Sequence, residues 1–204
     1  MNKAVELHNR REQIYTFLSG IYLHEIDSER LSAMKKMTFP VNTGIELLDE
    51  GYRALESFLE TAVDDCLDDL AVDYAKIFLS AGMATGFADF PYQSVYTDRQ
   101  HMIGGQSACD LASVYAAKGL KANSNAYKVP DDHIGLQLAF MASICREDLK
   151  EQRAFLDTYL FKWYHGFCRD LEKYSSTAFY RAVAKITSGF LSLERQLTEP
   201  LMEE

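Results

Sequence analysis

Residues 129–141, VPDDHIGLQLAFM, pose the question on which the fold turns. Two carboxylates and an imidazole stand together here, either as a reactive or metal-binding group or as the start of a helix. Pro130 suits the first turn of a helix, where its missing N–H is one that the helix leaves unbonded. Asp131 and Asp132 would then lie among the free N–H groups at the positive end of the helix dipole. Beyond them, Ile134, Leu138, Met141 and Cys145 fall on one face and Leu136, Phe140 and Ile144 on another. A helix that is apolar on two sides is buried between neighbours. The stretch therefore predicts a central helix over about 130–149.

The same periodicity extends in both directions. Residues 3–24 place Leu7, Ile14, Phe17, Leu18 and Ile21 at helical spacing. A short helix over 28–37 is stopped by Pro40, and 43–60 opens on Thr43 as an N-cap. Residues 64–80 begin with acids and carry a stripe of Leu67, Leu70, Tyr74, Ile77 and Phe78. A helix over 106–118 ends at Gly119, and helices over 151–173 and 176–197 complete the chain. SVYTD is the best strand candidate and is too short to seed a sheet. The expectation is a single all-α domain over residues 1–204.

Residues 81–102, AGMATGFADFPYQSVYTDRQHM, break this pattern. Gly82, Gly86 and Pro91 punctuate them, and Phe87, Phe90, Tyr92 and Tyr96 make them aromatic. Loops this long inside a compact domain are uncommon and often functional. Aromatic side chains are also the usual way to anchor a long loop to a core, so both readings stand.

Composition narrows the functions. Apolar residues are 48% and charged residues 25% of the chain, as in ordinary globular proteins. The formal net charge is -9, and no Lys/Arg cluster exceeds a pair. Neither nucleic-acid binding, which needs a basic face to release counterions, nor an anionic membrane surface is expected. No stretch approaches the ~18 apolar residues of a membrane span. Arg10–Arg11 imitates a twin-arginine export signal, but Glu12 and Gln13 follow and no small-residue cleavage site appears, so both arginines are expected on a solvated helix face. Cys66, Cys109, Cys145 and Cys168 are far apart in apolar contexts, predicting reduced core thiols in a cytoplasmic protein.

Metal chemistry at 131–133 is disfavoured by spacing. Adjacent side chains diverge by roughly 100° on a helix, and His8, His24, His101 and His165 add no partner at ligand spacing. The pair Asp–His also lacks a nucleophile elbow or a Gly-rich phosphate loop. A helical metal-dependent hydrolase using Asp131, Asp132 and His133 is the rival reading; no metal or cofactor is expected.

At this point four stretches, in order, resemble the TorD/DmsD/NarJ-type chaperone family. VPDDHIGLQLAFM is similar to its EPxDH signature and following helix; DYAKIFLSAG (73–82) to its Y-x-x-L-F-x-G-P helix end; FPYQSVYTDRQ (90–100) to its P-P-[WY]-x-S-V-[WY] stretch; and FLDTYLFKWYHGFCRDL (155–171), with AFYRAVAKITSGFL after it, to its tryptophan-bearing and terminal helices. Val129 stands where the family has glutamate, Tyr92 and Tyr96 stand where tryptophans are common, and Trp163 is the sole tryptophan. The resemblance implies an all-helical, cytoplasmic, dedicated chaperone without enzymatic activity. Its partner would be the apo-form of a molybdenum-cofactor oxidoreductase of the DMSO-reductase type, bound through its twin-arginine signal peptide or a related leader. A cationic-apolar leader wants an apolar groove with an acidic edge. The candidates are Ile77, Phe78, Phe90, Pro91, Tyr92, Ser94 and Tyr96 for the groove and Asp98, Pro130, Asp131, Asp132 and His133 for the rim. A monomer or a domain-swapped dimer is expected.

Overall fold

The computed structural model describes residues 3–40, 42–63, 66–79, 90–121 and 129–198. Among them are ten α-helices and one 3-10 helix, and no strand beyond a single isolated bridge. In chain order the helices are α1 (Lys3–Leu23), α2 (Ser28–Met34), α3 (Glu46–Thr61), α4 (Cys66–Phe78), α5 (Gln93–Thr97), α6 (Gln106–Ala117), α7 (Ile134–Ile144), α8 (Leu149–Thr158), the 3-10 turn Leu160–Lys162, α9 (Tyr164–Tyr174) and α10 (Ala178–Thr198). The fold is all-α, as the periodicity predicts. The residues group into two compact units, each made of two chain segments: 1–24 with 91–163, and 25–90 with 164–204.

In the first unit α1 lies antiparallel to α7. Ser19 Oγ donates to the Gly135 carbonyl at 2.8 Å near the start of α7, and His8 Nδ1 donates to the Cys145 carbonyl at 2.8 Å at its end. Helix α7 buries Ile134, Leu136, Leu138, Phe140, Met141 and Ile144, on both of the faces that its sequence offers. An aromatic run from Tyr115 through Phe140 and Phe155 to Tyr159, with centroids 4.6–5.1 Å apart, binds α6, α7 and α8.

The buried stripe of α1 only partly follows the one expected. Leu18 and Ile21 are buried as expected, Ile14 and Phe17 are half-buried and Leu7 is exposed, while Arg11, Tyr15 and Tyr22 join the buried face. Arg10 is solvated as expected, but Arg11 is buried and donates to Gln152 Oε1 at 2.8 Å. Tyrosine and arginine carry long apolar bodies with polar tips, so they enter an interior whenever a partner meets the tip. Of the cysteines, Cys145 and Cys168 are buried, but Cys66 is half-buried and Cys109 exposed.

In the second unit α3 runs antiparallel to α10. A Cβ on Gly189 would stand 2.6 Å from the Leu48 backbone nitrogen, so the two helices touch backbone to backbone there. Phe58 meets Phe179 at 5.6 Å, and Lys185 pairs with Glu50 at 2.9 Å. Ile45, not Thr43, occupies the N-cap of α3; Thr43 instead hydrogen-bonds the Asp49 carboxylate through Oγ1 at 2.8 Å.

The buried carboxylate of Asp73 in α4 organises the turn before α10. It accepts from Ser175 Oγ, Ser176 N and Oγ, and Thr177 N and Oγ1, all at 2.7–3.0 Å. Burial pushes this carboxyl up, but those hydrogen bonds outweigh it and hold it below the usual carboxylate range.

The helix expected over 151–173 is broken. Tyr159 leaves helical geometry (φ -118, ψ -84), and Leu160, Phe161 and Trp163 are all buried. A continuous helix would spread these consecutive large apolar groups around its circumference; the kink lets each find an interior.

Candidate functional site

The site starts with a short backbone pairing in the first unit. Tyr92 and His133 form the isolated antiparallel bridge. Ile134 N donates to the Pro91 carbonyl at 2.8 Å and Gln93 N to the Asp132 carbonyl at 3.1 Å. This joins the two stretches that the sequence singles out, FPYQSVYTD and PDDH. Residues 93–97, which contain most of the strand candidate, instead wind into α5, whose Ser94 N donates to Asp132 Oδ2 at 2.8 Å.

The PDDH residues do not open the helix as the sequence suggests. Helix α7 begins at Ile134, and His133 is its N-cap, with Nδ1 accepting from Gly135 N at 3.1 Å. An accepting Nδ1 leaves the ring proton on Nε2. The imidazole is buried, lies edge-on to Tyr92 at 5.2 Å, and has its pKa driven down to about 3 by burial. Pro130, Asp131 and Asp132 thus precede the helix, and the acids are not in its first turn.

The two neighbouring aspartates have different surroundings. Asp132 is wholly buried; Asp131 is half-buried, its backbone carbonyl accepting from Tyr115 OH at 3.0 Å. Burial raises both carboxyls. Gln137 Nε2 donates to Gln93 Oε1 at 3.2 Å and to the Asp132 carbonyl at 3.0 Å. Asp132 Oδ1, Ser94 Oγ and Gln137 Oε1 are buried without a hydrogen-bond partner among the described residues. Such atoms are costly in a protein interior and mark the polar heart of this junction.

Asp98 follows α5 and serves α6. Its carboxylate accepts from Ser107 N at 3.1 Å, from Ser107 Oγ, and from Thr97 Oγ1 at 3.3 Å. Burial works to raise this carboxyl, but the Ser107 and Thr97 hydrogen bonds prevail and lower it. Tyr96 is half-buried and packs at a tilt against Trp163, with ring centroids 5.4 Å apart.

Of the expected groove residues, Pro91, Tyr92 and Ser94 are buried in the first unit, and Tyr96 is half-buried there. Ile77 and Phe78 belong to the second unit and are buried in it, Phe78 against Tyr74 and Tyr180 at 4.9 and 5.5 Å. Phe90 is half-buried. Phe87, Gly82 and Gly86 lie outside the described residues. Sequence reading missed Gln93 and Gln137, whose amides lock the junction, because nothing about an isolated glutamine announces burial.

The hydrolase reading finds no support in this geometry. His133 Nδ1 and Asp132 Oδ2 are engaged by backbone N–H groups, and among the described residues no three His, Cys, Asp or Glu side chains gather as metal ligands.

Residues 45–169 match the model of the nitrate reductase delta subunit family. The chain is similar to the chaperone protein TorD of Vibrio vulnificus (24% identical, covering 95% of this chain and 97% of the relative) and of Shewanella loihica (27%, 90% of each). Its fold matches a solved structure assigned to redox enzyme maturation from Archaeoglobus fulgidus, with TM-score 0.56 and 19% identity over 90% of this chain and 92% of that one. With the family model spanning more than half of its length, the chain belongs to the nitrate reductase delta subunit family, the group of TorD- and NarJ-type chaperones, and is a chaperone and not an enzyme.

Proposed function

We propose that this chaperone serves the maturation of a molybdenum-cofactor oxidoreductase of the DMSO-reductase type. It binds the twin-arginine signal peptide or related leader of the apo catalytic subunit in the cytoplasm, assists folding and cofactor insertion, and delays export. The observation that carries the reading is the junction of FPYQSVYTD with PDDH. Two separated stretches are locked by backbone hydrogen bonds into one frame, which presents half-exposed Tyr96, Asp98, Pro130 and Asp131. The acids suit a cationic leader start, and the overall charge of -9 favours its encounter. Asp132 and His133, as buried members, hold the frame.

Isothermal titration calorimetry of the chain with a synthetic twin-arginine leader tests the proposal. Binding is expected, weakened when both arginines become lysine, because lysine cannot pair a carboxylate bidentately. Asp131→Asn is expected to weaken binding by about 1–3 kcal/mol, the range for a charge-assisted hydrogen bond. A leader that shows no heat of binding, together with no recovery of the apo subunit on co-expression, overturns the proposal.

A further inference from the structure

The loop joining α5 to α6, residues 98–105, displays two large apolar side chains to solvent: Met102 is 62% and Ile103 38% exposed. The loop holding them is tied down. His101 Nδ1 donates to the Val95 carbonyl at 2.7 Å, His101 N donates to the Asp98 carbonyl at 3.1 Å, and Asp98 is fixed by Ser107. His101 itself adopts φ 50, in the left-handed region that few non-glycine residues other than Asn, Asp and His enter. A side chain at Gly104 would stand 3.9 Å from the Pro130 ring, so the loop adjoins the PDDH turn. A tethered loop therefore exposes Met102 and Ile103 just before Gly104, the residue that meets Pro130, with the half-buried acids Asp98 and Asp131 close by in the chain, alongside the exposed Arg99 of the loop and Lys121, whose charge acts on Asp131.

We propose that Met102 and Ile103, with Pro130, form the platform that receives the apolar stretch of a client leader, while Asp98 and Asp131 meet its cationic start. The inference rests on the leader-binding reading and assigns it two residues that the motifs did not. Charge argues for this occupant. A segment that begins cationic and continues apolar complements an acid-bordered apolar patch. A second copy of this chain would bring the same acids and the same charge of -9 to the contact, which like-charge repulsion opposes. Methionine suits the task, because its flexible thioether adapts to apolar side chains of differing shape.

The test is calorimetric titration of the full chain and of a Met102→Gln/Ile103→Thr double variant with one synthetic twin-arginine leader, and with the same leader made polar in its apolar stretch. Both side chains face solvent, so circular dichroism and the melting temperature should be unchanged. The double variant should bind the native leader about tenfold more weakly, as follows from losing part of the burial of two large apolar groups. The polar leader should no longer distinguish variant from unmodified chain. If the unmodified chain binds the leader and the double variant matches it within about twofold, the platform is wrong and leader binding stands. If the unmodified chain binds no leader, both fall. Light scattering that shows altered self-association of the variant, at unchanged leader affinity, gives the surface to a second copy and overturns the proposal.

Discussion

At the scale of the residue, His133 and Asp132 respond to burial in opposite directions. The folded imidazole is held neutral, with its pKa near 3 against 6.5 when exposed. Between those values the unfolded chain takes up a proton that the folded chain refuses, so stability falls as pH drops from about 6.5 towards 3, by roughly 1.4 kcal/mol per unit from this group. The Asp132 carboxyl is raised by burial, so its contribution is greatest in acid, below its unfolded pKa, and is lost as pH climbs through its folded one. His133→Asn keeps a capping side chain and removes the imidazole. Urea denaturation across pH 4–7 should show a shallower acid slope for the variant than for the unmodified chain. Asp132→Ala deletes the acceptor of Ser94 N inside the first unit. Its expected cost is about 1–3 kcal/mol of stability, read from the urea midpoint. A variant with an unchanged midpoint would put that carboxylate outside the structural junction.

At the scale of the element, helix contacts set sharper limits than helix propensity does. Gly189 is where α3 and α10 meet backbone to backbone, and Gly189→Ala would press a methyl group onto Leu48. The expected loss is about 1–3 kcal/mol or more, the range for overpacking, seen as a lowered melting temperature. Gly119, with φ +69 just past α6, is a position where the sequence signal was sufficient: the helix stops where glycine adopts the left-handed conformation. Asp73 shows the reverse. In sequence it is one acid in an acidic helix; in the fold its five hydrogen bonds build the turn into α10. Asp73→Ala should cost roughly 3 kcal/mol, since hydrogen bonds to a charged group are worth about 1.5–3 kcal/mol each and do not add. Because hydrogen bonding lowers the Asp73 pKa, its stabilisation is present above the unfolded carboxylate range and fades as pH falls through the folded value.

At the scale of the whole molecule, each unit draws on two distant segments, and neither is a contiguous stretch of chain. Residues 91–163 produced alone would lack α1, and with it the Ser19 and His8 hydrogen bonds along α7. That fragment should show reduced helicity and no cooperative unfolding, both regained on adding a peptide of residues 1–24; a fragment that melts cooperatively by itself would contradict this dependence. Helix existence, the all-α class and the pairing of the PDDH turn with a buried helix were legible from periodicity, because the 3.6-residue repeat is a local property of the chain. The resemblance carried the family for the same reason: motifs are local strings. What local strings could not reveal was depth. Asp131 and Asp132 are equivalent by composition, yet the bridge between Tyr92 and His133 accompanies the burial of one and leaves the other half-exposed. Arg10 and Arg11 divide in the same way, because only one faces Gln152. Burial of a polar group depends on a partner from elsewhere in the chain satisfying it, and the fold alone supplies that partner.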